Sequence, residues 1–194
     1  MTYTLNAGIK YYIKVHHYST NNSTSNITFN ITTNSYTITY NANGGSVSPT
    51  SQTVTVGTET ITPIAERDKG VTSRTINFHA NGGTISKSNQ TSSATITYGS
   101  DGWYTKANGG TYRTSNGGSY IPTQSETLYN HWYIASTGTY SSITFPTGER
   151  TGYKLIGFST NSSADPNNFT GYKPGQNVVV SETNYYAIWK PNSY

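Results

Sequence analysis

The C-terminal two-thirds of this chain repeats itself, and that repetition limits the fold more than any other feature. Thr127-Leu128-Tyr129-Asn130-His131-Trp132 returns 57 positions later as Asn184-Tyr185-Tyr186-Ala187-Ile188-Trp189. Gly102-Trp103-Tyr104-Thr105 returns as Gly157-Phe158-Ser159-Thr160, and Tyr120-Ile121-Pro122 returns as Tyr172-Lys173-Pro174. Upstream, Tyr40-Asn41-Ala42-Asn43-Gly44-Gly45 returns as Phe78-His79-Ala80-Asn81-Gly82-Gly83. Four landmarks in matched order imply small modules in tandem. Tandem modules usually extend or present something rather than catalyse.

The modules read as β-structure. Tyr36-Thr37-Ile38-Thr39-Tyr40 alternates apolar and polar residues, as do Thr75-Ile76-Asn77-Phe78 and Ala94-Thr95-Ile96-Thr97-Tyr98, and that period belongs to a half-buried strand. Tyr, Thr, Val and Ile fit a pleated surface, and the Asn-Gly-Gly triplets mark turns, because glycine accepts positive φ. Helical periodicity is absent over any useful length. The expectation is an all-β, β-rich protein of tandem small modules with hydroxyl-rich faces.

Charge narrows the partners. Only 10% of residues are charged, and the net charge of +4 is spread thinly. No basic stripe has the density of a nucleic-acid or membrane patch, and no stretch is apolar enough to cross a bilayer as a helix. We therefore expect neither nucleic acid nor membrane insertion. There are no cysteines, so sheet pairing and aromatic cores must hold the modules. The start, Met1-Thr2-Tyr3-Thr4-Leu5, lacks the basic and apolar regions of a signal peptide. The expectation is a fragment of a longer exported protein, or a component that leaves the cell by another route, such as a virion part.

Four regions follow. Residues 1–35 read as β-sandwich-like strands, with Tyr11, Ile13 and Val15 on one face of the first and Ile27, Phe29 and Ile31 on one face of the second. Two strands do not make a stable unit alone. Residues 36–70 form repeat unit one, which has only the front of the motif. Residues 71–135 form unit two, the one with both ends, and 136–194 form unit three, which has only the back. Half-modules leave a sheet edge and an apolar face bare. In one arrangement units one and three complete each other around an inserted unit two, which pairs Tyr36–Tyr40 in the same sheet as Tyr185–Trp189. In the other, three beads lie on a line and the first is degenerate.

The combination of the Tyr-Thr-Ile-Thr-Tyr-Asn-Ala-Asn-Gly-Gly strand and turn, Arg150-Thr151-Gly152-Tyr153-Lys154-Leu155-Ile156-Gly157-Phe158, Tyr172-Lys173-Pro174-Gly175 and Tyr186-Ala187-Ile188-Trp189 resembles the internalin B-repeat family, also called Listeria–Bacteroides repeats, across about 36–190. The resemblance implies small β-grasp-like modules on bacterial surface proteins or related phage-borne proteins. It implies no enzyme activity and carries over no shared ligand site. Leu5 to Val15 resembles the closing strands of bacterial pre-peptidase C-terminal-type sandwiches.

The chemistry-bearing residues give little. The eight carboxylates, Glu59, Glu66, Asp68, Asp101, Glu126, Glu149, Asp165 and Glu182, show no paired spacing of the kind a glycosidase needs. His16 and His17 are adjacent on a strand and point to opposite faces. His79 and His131 have no cysteine or third ligand beside them. No nucleophile elbow or phosphate loop is present. We expect no catalytic, cofactor or metal site. Asn26-Ile27-Thr28 and Asn30-Ile31-Thr32 match glycosylation acceptors, as composition alone would produce. A Lys–Asn isopeptide cross-link would need a buried lysine.

The aromatics carry the remaining question. Trp103 and Phe158 share one repeat position, and Trp132 and Trp189 share another. Interchangeable aromatics at a repeated position read as core. Tyr112, Tyr120 and Tyr172 are the candidate contacts to a glycan or protein partner, with Tyr194 a further surface candidate. The leading expectation is a non-catalytic extracellular stalk or adhesion segment on a bacterial cell surface. The alternatives are a phage tail or decoration protein that contacts the host, and a carbohydrate-binding accessory segment of a secreted enzyme. Exposed strand edges at 9–15 or 140–145 offer self-association.

Overall fold

The computed structural model describes residues 11, 12, 14 and 33–193. The sandwich-like strands expected within 1–35 and the edge at 9–15 fall almost wholly outside the described residues. Among the described residues, the regular elements are all strands, as the alternation predicted.

The chain runs in four stretches. The first holds β1 (Ser35–Asn41), β2 (Ser46–Val47), β3 (Ser51–Thr55), β4 (Thr60–Ile61) and β5 (Ala65–Glu66). The second holds β6 (Gly70–His79), β7 (Thr84–Ile85) and most of β8 (Asn89–Tyr104). The third holds the end of β8, then β9 (Tyr112–Thr114), β10 (Ser119–Tyr120) and most of β11 (Glu126–Thr137). The fourth holds β12 (Ile143–Thr144), β13 (Gly148–Glu149), β14 (Tyr153–Ser159), β15 (Asn177–Val178) and β16 (Asn184–Pro191). Two compact units take these stretches alternately: one is the chain up to Arg67 with Ser100–Tyr133, the other Asp68–Gly99 with the chain from Ile134 onward.

This division corrects the expected domain scheme of 36–70, 71–135 and 136–194. The front half of the first module is completed by the back half of the second stretch of repeat, not by unit three. β1 pairs in parallel with β11, Ile38 opposite Glu126 and Asn41 opposite Tyr129, and antiparallel with β3. β16 pairs in parallel with β6, Tyr185 opposite Phe78, and antiparallel with β14. The proposed partnership of Tyr36–Tyr40 with Tyr185–Trp189 is thus replaced by two interleaved modules. The same two halves of motif occur in each, and their repeat spacing is equally compatible with either assignment. The edge expected at 140–145 is β12, which pairs with β15.

Each unit pairs its first and last long strands in parallel, the grasp-like element, and closes its other side with short ladders rather than a helix. In the first unit these are β2 with β5 and β4 with β10. In the second they are β7 with β13 and β12 with β15. The first core gathers Ile38, Tyr40, Val54, Ala65, Trp103 and Leu128, and the second Ile76, Phe78, Phe145, Phe158, Tyr185 and Trp189. Each such large side chain contributes about 1.5–3 kcal/mol by leaving water.

One local device recurs and explains why Asn-Gly-Gly at the front of a module demands Trp at its back. Asn43 and Asn81 both adopt φ 50, and Gly44 and Gly82 follow at φ 93 and 90. Asparagine tolerates that left-handed region and glycine enters it without strain. The second glycine has another duty. A Cβ on Gly83 would stand 2.3 Å from Trp189 Cζ2, and one on Gly45 would stand 2.8 Å from Trp132 Cζ2. The bare backbone lets each indole lie flat on the turn. Trp132 Nε1–H then donates to the Ala42 carbonyl at 2.7 Å, and Trp189 Nε1–H to the Ala80 carbonyl at 2.8 Å. A front half and a back half are locked together twice by the same bond. The triplets at 108–110 and 116–118 make turns without such a lock.

Candidate binding surface

Two of the three tryptophans are interior, and Trp132 is half-buried against the first core. Trp103 and Phe158 are fully buried and Trp189 is 7% exposed, so the repeated aromatic positions build the modules. Of the three tyrosines singled out from sequence, Tyr112 is half-exposed on β9. Tyr120 packs against the first core with its hydroxyl buried beside the Glu126 carboxylate without a well-formed hydrogen bond. Tyr172 packs on the second core, its ring stacked on Phe145 at 4.6 Å and 11°. Tyr112 and Tyr120 belong to the first unit and Tyr172 to the second.

The structure also realigns them. Trp103 faces Thr114 across β8 and β9, and Phe158 bridges to Tyr172. Gly117 and Gly175 then occupy one turn position, both at φ 76. Tyr120 opposite Thr60 matches Val178 opposite Ile143. Tyr172 therefore holds the place of Thr114 and Tyr120 that of Val178, although the Tyr-x-Pro echo suggested that the tyrosines matched each other.

In the first unit, two outward rings lie one residue away from the buried Trp103 and the half-buried Trp132. On a strand, neighbours of an inward residue face out, so Tyr104 follows Trp103 outward and His131 precedes Trp132 outward. Their rings stack at 4.0 Å and 4°, and Tyr112 meets Tyr104 edge-on at 5.4 Å and 71°. The Tyr104 hydroxyl donates to Asp101 Oδ2 at 2.8 Å, a bond that, with Asp101's charge, raises the phenol's pKa. His131 Nε2 lies 2.8 Å from the Lys106 carbonyl. A carbonyl only accepts, so Nε2 carries a proton. Three rings, a carboxylate and the Lys106 carbonyl thus line one outer face of the first unit.

The second unit carries a separate stacked pair at other positions. His79 stacks on Tyr186 at 4.6 Å and 17°, and its Nε2–H reaches Asn184 Oδ1 at 3.2 Å. Asn77 Nδ2 points at the same oxygen from 3.4 Å. Aromatic faces beside amide and carboxylate groups contact sugar rings or peptide backbone through the ring and hydrogen-bond through the edge. The signal for these pairs lies in the strand alternation: Tyr104 and His131 flank Trp103 and Trp132, and His79 and Tyr186 follow the buried Phe78 and Tyr185.

Other features are modest. An open groove of about 700 Å³ in the second unit is lined by Glu149, Arg150, Tyr153, Lys154 and Pro174 among others. Its Arg150 guanidinium lies over the Tyr153 ring at 3.9 Å, a cation–π contact. Ile61, Ile64 and Ile121 are each more than half exposed on the first unit. Among the described residues no three His, Cys, Asp or Glu side chains converge as a metal site. The described lysines are exposed or half-buried, which does not suit the isopeptide cross-link. The ion pair between Arg113 and Glu126, at 2.8 Å, ties β9 to β11.

A family model described as the Listeria-Bacteroides repeat domain matches residues 36–72. The match covers the front half of the first module and stops just after Arg67, where the chain leaves that unit. Such repeats are typical of bacterial surface proteins, which suggests a surface-associated protein. No curated protein and no solved structure matches the chain.

Proposed function

We propose that the chain is a non-catalytic spacer segment of a bacterial surface protein, holding a neighbouring domain away from its base. One observation carries the reading: what repeats between the two units is scaffold. The Asn-Gly-Gly turns, the Trp-to-carbonyl locks and the buried ring positions recur, whereas the outward side chains at equivalent positions differ. Tyr104 corresponds to Ser159, and the exposed His79 of the second unit to the exposed Asn41 of the first. A repeated frame of turns, locks and strand pairings, with unrepeated side chains around it, is what selection for shape and reach leaves behind.

The Tyr104–Tyr112–His131 row favours a second reading, adhesion, in which that face contacts glycan or protein on an opposing surface. One screen separates the two. The purified chain is presented to an array of cell-surface glycans and to intact cells at concentrations up to about 1 mM, where even an interaction of ~4 kcal/mol becomes visible. A spacer gives no saturable binding. Saturable binding that Tyr112→Ala abolishes, with the fold intact, transfers the function to the ring row.

A further inference from the structure

In both units the chain enters along the first strand of a parallel pair and finally leaves along the last. In the first unit it enters at Ser35 on β1 and leaves at Tyr133 on β11, and these strands pair in parallel over Ile38–Asn41 and Glu126–Tyr129. In the second it enters at Asp68, ahead of β6, and leaves beyond β16, with Asn77–His79 parallel to Asn184–Tyr186. The start of one strand and the end of its parallel partner lie at opposite ends of the ladder. Tension between them slides the strands along each other and loads the ladder bonds together. Antiparallel strands pulled from one end open bond by bond instead.

The interleaving adds a second property. The chain crosses between the units after Arg67, Gly99 and Tyr133. If the first unit yields, tension passes from Arg67 straight into β6 and is held by the β6–β16 pair. Residues 100–133 then hang as a slack loop, because both their ends belong to the second unit. If the second unit yields first, β1 and β11 carry the load, and residues 68–99 are the slack loop.

We propose that this interleaving makes the segment a force-bearing coupler that yields in part while staying loaded. The intact unit keeps most of the ruptured one off the force path and holds its halves close for refolding, which lowers the entropic cost of rejoining them. The proposal rests on the surface-spacer reading for the source of the force, whereas its mechanics follow from the pairings alone.

Single-molecule pulling tests it. The chain has no cysteine, so Asn34→Cys and Ser193→Cys in the full chain give two unique handle points. If the first unit yields first, the first step releases about 33 residues and the second about 124. At up to ~3.6 Å per residue these are contour gains of ~120 Å and ~450 Å, less the folded separations. If the second unit yields first, the steps are about 58 and 99 residues, or ~210 Å and ~360 Å. Trp189→Ala removes the second lock and shifts molecules toward the 58-residue first step, while Trp132→Ala shifts them toward the 33-residue one. Steps that release each module as one contiguous stretch, or gradual lengthening without discrete steps, overturn the proposal. The wild-type trace decides even if a variant fails to fold. Contiguous steps leave the spacer reading standing, because that reading fails only in the binding screen.

Discussion

The two units share a frame but fill it with opposite chemistry. In the second, Phe145 is the hub of a ring cluster, within 5.0–5.6 Å of Phe78, Phe158 and Tyr185 and stacked on Tyr172. In the first, the matching places hold Thr62, Tyr40, Trp103, Leu128 and Thr114. Thr62 is buried at 1% exposure and donates to the Gly118 carbonyl at 3.0 Å, and Thr114 donates to that of Ser119 at 3.0 Å. Ala187 in the second unit is matched by Asn130 in the first, fully buried, which accepts from Ser100 Oγ at 2.7 Å and reaches Asn116 Oδ1 at 3.3 Å. The frame therefore does not require an oily interior. It requires only that each interior be filled or hydrogen-bonded throughout.

The hub position gives the sharpest test of that contrast. Phe145→Ala should cost about 3–5 kcal/mol, the range for a buried ring replaced by a cavity, and unfold the second unit selectively. Thr62→Ala, at the same place in the frame, should cost only about 0.5–1.5 kcal/mol, the net worth of a hydrogen bond. Urea unfolding followed through the three indole N–H signals separates the units, since Trp103 and Trp132 report on the first and Trp189 on the second. Equal costs at the two positions would mean that the interiors are not the different solutions they look to be.

Asn130 comes next in size. It links to Asn116, which both accepts from the Ala65 amide at 2.7 Å and donates to the Ala65 carbonyl at 2.8 Å. Asn130→Ala strips partners from Ser100 and Asn116 and should cost about 1–3 kcal/mol, the penalty for leaving buried polar groups unpaired. The reverse exchange, Ala187→Asn, places an amide among rings with nothing to bond and should also destabilise. A denaturation midpoint unchanged by Asn130→Ala would show the network to be incidental.

Much of this frame was legible in sequence. The two turns, the two tryptophans and the strand alternation all came from period and composition, because each rests on local geometry. Which front half joins which back half was not legible. Both fronts carry Asn-Gly-Gly and both backs carry Trp, so the lock fits either way, and the choice belongs to side-chain packing far apart in sequence. The alignment of Tyr120 with Tyr172 misled for a related reason. Residue identity pointed one way, whereas the backbone was fixed by the positive φ of Gly117 and Gly175.

Trp103 tests whether the first unit gains from its larger ring. The indole is buried without a partner for its N–H, and the second unit places Phe158 there. Trp103→Phe loses packing volume and also removes an unpaired donor, which costs about 1–3 kcal/mol when buried. The two effects oppose each other, and we expect a net change within about 1.5 kcal/mol. A much larger loss in the urea midpoint would mean that ring size, not the N–H, dominates at this position.

Alkaline pH separates the units by another route. Burial pushes Tyr40 in the first unit and Tyr185 in the second from 10.0 up to about 12, and raises Tyr120 as well. A phenol whose folded pKa is raised contributes stability that is whole below pH 10 and lost as pH rises through 12. The first unit, with two phenols raised by burial against one in the second, should lose stability more steeply over that window. The Trp103 and Trp132 signals should then disperse before that of Trp189 in a pH titration. Loss of Trp189 first would reverse the ranking.

The smallest effect isolates one atom. Tyr120 packs its ring on the first core, and its hydroxyl is buried beside the Glu126 carboxylate without a well-formed hydrogen bond, whereas the second unit puts Val178 in its place with no polar side-chain atom at all. Burial acts first on this phenol, and the Glu126 charge raises its pKa further. Tyr120→Phe keeps the ring and deletes only the unsatisfied oxygen, so stability at neutral pH should stay within about 0.5 kcal/mol or rise. The same substitution should flatten the first unit's loss between pH 10 and 12, toward the slope of the second. A destabilisation of more than about 1 kcal/mol at neutral pH would mean that the hydroxyl makes a bond worth a typical buried hydrogen bond. The two interiors would then be less alike in their tolerance than their shared frame implies.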